Sequence, residues 1–129
     1  MQVAGQQSCK MIRDMDLVRN ILLKIEQDPT CDRQHWVTLD IPGHTPEETL
    51  YHTILLIEAG FIKGPGDTSR SILPIVSGLT WDGHEFLANI SDAGIWAKTK
   101  ERAKQLPNVA LKVVAEIAMN EVKRHFGLT

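Results

Sequence analysis

H-T-P-E-E-T-L-Y-H-T-I-L-L-I-E-A-G-F-I, from His44 to Ile62, is the stretch that decides the fold of this chain. Thr45 can cap a helix, Pro46 suits the first helical position, and Glu48 stands three residues after the cap to close a capping box. Gly60 falls where a helix C-terminus favours a left-handed residue, and the apolar pair Phe61 and Ile62 follows at once. A capped helix that runs through glycine into a strand, then a Gly/Pro turn, then a second strand, is the order in which a winged helix-turn-helix presents its recognition helix and wing.

Outward from that stretch, Met15, Val18, Ile21, Leu22 and Ile25 repeat at helical spacing after Asp14, a cap, and Asp28-Pro29 ends the run. Trp36, Val37, Leu39 and Ile41 predict a brief strand near His35 to Ile41, and Pro42-Gly43 turns the chain into the capped helix. Within that helix the spacing puts Leu50, Ile54 and Ile57 on one face. Phe61 to Lys63 and Ile72 to Leu79 read as two strands joined by the turn-rich wing loop Gly64 to Ser71, and Pro74 predicts that the second is an edge. Thr80 caps a helix from Trp81 to Ile90, whose Trp81, Phe86, Leu87 and Ile90 can pack on the first helix. Asp92 starts another helix. Pro107 opens the last, which is apolar round most of its circumference and so predicts cover from more than one side, including a second subunit.

The expected fold is therefore mainly α with a small antiparallel sheet (α+β), a winged helix-turn-helix with extra C-terminal helices. Residues 1–12 read as an N-terminal extension, 13–91 as the winged helix and 92–129 as a helical extension packed on it. A chain of 129 residues, 43% hydrophobic and 23% charged, suffices for one ordinary domain. No run approaches the length of a membrane span, and the opening residues lack the apolar stretch of a secretory signal, so a cytoplasmic protein is expected. Cys9 and Cys31 have no short spacing and read as free thiols.

The net charge of −2 is unevenly spread. From Asp14 to Asp92 thirteen carboxylates face five cations, whereas residues 93–129 carry seven cations and three carboxylates. The winged helix is thus the acidic part, which opposes the phosphate attraction behind most non-specific DNA binding.

Three blocks, R-D-M-D-L-V-R at Arg13 to Arg19, L-Y-H-T-I-L-L-I-E-A-G-F-I at Leu50 to Ile62, and L-T-W-D-G-H-E-F-L at Leu79 to Leu87, together resemble a family of uncharacterised phage and prophage proteins. The resemblance continues through Ile95-Trp96 into the last helix. It implies winged helices with added C-terminal helices and leaves reaction and ligand open.

Two functions follow as expectations. The first is DNA binding or transcription regulation, using Glu47, Glu48, Tyr51 and His52 of the capped helix, Lys63 and Arg70 of the wing, and the basic face of Lys98, Lys100, Arg102 and Lys104. The second is an interaction module whose acidic, aromatic surface binds a host or phage protein. Catalysis is not expected, because Asp82, His84 and Glu85 diverge around one helical turn and no nucleophile elbow is present. Nor is a cofactor or metal: Cys31, His35, His44, His52 and His84 lack ligand spacing, and Gly64-Pro65-Gly66 lacks the Gly-Lys-Ser/Thr ending of a phosphate loop.

Overall fold

The computed structural model describes residues 13–65, 72–105 and 109–127. The N-terminal extension, Cys9, Arg70 and Pro107 lie outside the described residues. Along the chain come α1 (Met15–Gln27), β1 (Val37–Thr38), α2 (Pro46–Glu58), β2 (Ile62–Lys63), β3 (Ile75–Val76), β4 (Gly78–Leu79), α3 (Trp81–Ile90), α4 (Ala93–Ala103) and α5 (Leu111–His125). The protein is mainly helical with a small antiparallel sheet component.

The helix starts follow from their caps. Asp14 accepts from the backbone N–H groups of Asp16 and Leu17 at 2.9 and 3.2 Å, Thr80 from Gly83 at 3.1 Å, and Asp92 from Ile95 at 2.9 Å. The capping box is complete: Thr45 N–H donates to Glu48 Oε1 at 2.9 Å, and Glu48 N–H to Thr45 Oγ1 at 3.1 Å. Past α2, Gly60 takes φ +87°, which lets the chain reverse into β2.

β1 pairs antiparallel with β3, Val37 opposite Val76, and β2 pairs antiparallel with β4, Ile62 opposite Leu79. The segment 75–79 thus runs from one partner strand to the other. Each sheet has two strands among the described residues, so β3 and β4 are both edges, as expected. Pro74 precedes the ladder and contributes its carbonyl, which accepts from Leu39 N–H at 2.9 Å, so the missing donor costs nothing. The strand expected from His35 to Ile41 is only two residues long. α1 and α2 pack together, yet 28–45, including β1, join them in place of the three- or four-residue turn of a helix-turn-helix.

One apolar cluster runs through the molecule. It takes Leu17, Val18, Ile21, Leu22 and Ile25 from α1, Leu56 from α2, Phe86, Leu87 and Ile90 from α3, and Trp96, Leu111, Val114 and Ala118 from the C-terminal helices. Trp81, expected in this core, is 73% exposed, because it stands at the first position of α3 on the side away from Phe86. The inward face of α2 is also not the expected one. Thr49, His52, Thr53 and Leu56 are buried, while Leu50, Ile54 and Ile57 are only half-buried.

Polar joints tie the helices to one another. Arg19 donates to the carbonyls of Ile90 and Ser91 at 2.9 and 2.8 Å and so caps the end of α3. Asp16 accepts from Trp96 Nε1 and from Lys100 Nζ, both at 2.8 Å, and so joins α1 to α4. Those hydrogen bonds, from Lys100 first and then Trp96, hold the Asp16 carboxyl below the usual carboxylate range.

Candidate functional site

The outer ridge of α2 is set by its inner one. With Thr49, His52, Thr53 and Leu56 turned inward, helical geometry places Glu47, Tyr51, Ile54 and Glu58 on the opposite side. Glu47 and Glu58 are exposed; Tyr51 and Ile54 are half-buried. The ridge therefore offers two carboxylates, one phenol and one branched alkyl group, and no cation. Glu48 sits beside it, held by the capping box and 3.8 Å from His44 Nδ1. The Thr45 backbone N–H, as the main cause, keeps the Glu48 carboxyl low, so it is ionised at neutral pH.

His52 does not belong to this surface, which corrects its expected role as a contact residue. It is 1% exposed, its Nδ1 lies 2.8 Å from the Glu48 carbonyl, and its Nε2 accepts the Asp14 backbone N–H at 2.7 Å. Burial pushes the imidazole below its ordinary value. A neutral ring satisfies both bonds, with Nδ1–H as donor and Nε2 as acceptor.

Of the expected wing cations, Lys63 is exposed at the end of β2, with its backbone carbonyl accepting from Ser77 N–H at 2.9 Å. Arg70 lies outside the described residues. The described side of the wing is apolar: Ile72 is 83% exposed and Leu73 46%. Ile57 packs close against Gly64, where an added Cβ would come within 2.2 Å of its Cδ1, so the wing base sits on the C-terminal half of α2.

The basic face is divided, a second correction. Lys98 and Lys104 are exposed and, among the described residues, form no ion pair. Lys100 is bound to Asp16, and its ammonium lies 5.7 Å from the Trp96 ring centroid. Arg102 pairs with Glu121, which also accepts from Arg124 at 2.6 Å. Glu121 is only 4% exposed, so these two guanidiniums hold a buried carboxylate on α5 and are partly spent within the fold.

Asp82, His84 and Glu85 are all exposed, as first-turn and surface positions. Among the described residues, no group of three or more His, Cys, Asp and Glu could hold a metal ion. Cys31 is a half-buried free thiol, pushed up by burial and then by Asp28 and Asp32. Between α3 and α5 runs an open groove of ≈ 440 Å³, with Phe61 and Phe86 among its lining and Asp82, Glu85, Glu116 and Lys123 at its edge.

These features describe a small helical protein whose outward surfaces are acidic and apolar on α2 and mixed in charge along its C-terminal helices. The chain belongs to the family described as Hypothetical protein (DUF2513), whose family model matches residues 12–110. It is similar to a protein of Haemophilus influenzae described as an uncharacterized protein, 31% identical over 117 residues that span 88% of this chain and 98% of that relative. No solved structure matches the chain. Among the described residues, no helix is long and apolar enough to cross a membrane.

Proposed function

We propose that this protein acts by binding another protein through the outer ridge of α2 and the adjoining wing, as a winged-helix-like interaction module without a reaction of its own. The observation that carries this reading is the ridge composition: Glu47, Tyr51, Ile54 and Glu58 with no cation. A helix that reads DNA approaches a polyanion, and two exposed carboxylates at its centre line oppose that approach at every step. An aromatic and an aliphatic group between carboxylates suit a protein surface that brings an apolar pocket rimmed by Lys or Arg. The exposed Ile72 and Leu73 extend the apolar part beyond the helix.

The winged-helix description itself rests on the order helix, strand, helix, strand, connection, strand, with Gly60 turning α2 into β2. The resemblance to phage and prophage proteins adds that the partner is a host or phage protein. DNA binding is the competing reading; among the described residues of the expected contact set, Lys63, Lys98 and Lys104 are the exposed cations outside ion pairs on which it would depend. Titration of the full chain with random-sequence duplex over a range of salt separates the two. The proposal expects no binding even at low salt. Affinity that falls steeply as salt rises, the signature of counterion release, would establish the DNA reading instead.

A further inference from the structure

α5 buries Leu111, Val114, Ala118 and Glu121 against the rest of the molecule. On its other side Lys112, Glu116, Met119 and Lys123 are exposed, followed by Phe126 just past the helix end. These positions recur every three or four residues, the spacing of one continuous helical stripe. Apolar and charged residues share it. Met119 is 40% and Phe126 68% exposed, and Val113 at its margin is 37% exposed. The groove to α3 lies alongside, and the charged groups on its α3 side are the carboxylates Asp82 and Glu85. The α5 stripe, with Lys112 and Lys123 against Glu116, carries the opposite net sign.

We infer that this face is where two copies of the chain associate, as an antiparallel two-fold pair of α5 helices. With the axis between Met119 and Asn120, Glu116 lies opposite the partner's Lys123, and Lys123 opposite the partner's Glu116. The same register sets Val113 against the partner's Phe126 and places both Met119 side chains beside the axis, next to the grooves. Such an interface is isologous, so one self-complementary patch serves both copies. The parallel arrangement would set Glu116 on Glu116 and Lys123 on Lys123, and like charges at that spacing repel.

Sedimentation equilibrium on the full chain tests this. The unsubstituted protein is expected to dimerise at micromolar concentration. K123E and E116K, both at exposed positions, should each weaken dimerisation about tenfold or more, since each turns two attractive pairs into repulsive ones. The double variant E116K/K123E exchanges the charges while keeping the pairs, and should recover most of the loss. A monomer at all accessible concentrations overturns the inference. So does a dimer indifferent to K123E, or a double variant no tighter than the single ones.

Discussion

Nε2 of His52 accepts the backbone N–H of Asp14 at 2.7 Å, so the middle of α2 is bonded to the residue that caps α1. Its other nitrogen is engaged by the Glu48 carbonyl at 2.8 Å. Protonation would set a second N–H against that of Asp14 and charge a buried ring. Because burial lowers the folded-state value, the contribution of His52 to stability is complete above the ordinary imidazole value of about 6.5. It is lost as pH falls through the lower folded value. The melting temperature should therefore decline as pH falls from about 6.5 through the lower folded value, and NMR titration of the His52 ring should give a midpoint below 6.5. A midpoint at or above the ordinary value would contradict the joint.

A second prediction concerns Gly83. Glycine inside a helix ordinarily costs about 1 kcal/mol relative to alanine, so G83A would be expected to stabilise on propensity alone. Packing reverses the sign. A Cβ at Gly83 would lie 1.9 Å from the Phe61 carbonyl oxygen, a backbone atom that cannot rotate away. G83A should destabilise by about 1–3 kcal/mol in denaturant unfolding, as overpacking typically does. An increase in stability would mean that α3 can lift from β2 freely.

Glu121 makes a third. Replacing it with alanine leaves Arg102 and Arg124 without their shared carboxylate, although both remain half-exposed and can be hydrated. The expected loss is about 1–3 kcal/mol, below that for a fully buried pair. Lys98→Ala, on the solvated part of the same run, should change stability by no more than about 0.5 kcal/mol. Equal effects of the two would refute the division of the basic face.

Local signals in the sequence reported local structure well. The caps at Asp14, Thr45, Thr80 and Asp92 and the reversal at Gly60 each depend on residues within one turn, and all appear where their chemistry places them. The blocks that carry the family resemblance also prove structural: Asp16 and Arg19 reach α4 and the end of α3, and Gly83 admits the Phe61 backbone. The inward face of α2 was not legible, because apolar periodicity cannot find a face made of Thr49, His52 and Thr53. Thr49 satisfies its hydroxyl on the Thr45 carbonyl at 3.0 Å and His52 its ring on backbone groups, so burial of these two depends on bonds, not hydropathy, whereas Thr53 Oγ1 is buried without a hydrogen-bond partner among the described residues. The basic run misled for a related reason. Lys100 and Asp16 are 84 residues apart, and no local pattern announces that pair. Since the outer ridge of α2 is the complement of its inner one, the candidate site became readable only once His52 was placed inside.

Exchange of Ile54 for a photo-crosslinking amino acid tests the role of that ridge most directly. Irradiation in producing cells should give covalent adducts with protein, and the Glu47→Lys/Glu58→Lys double substitution on the same ridge should abolish them. Adducts with nucleic acid instead, or protein adducts indifferent to both charge reversals, would contradict the account of α2 as a protein-binding surface.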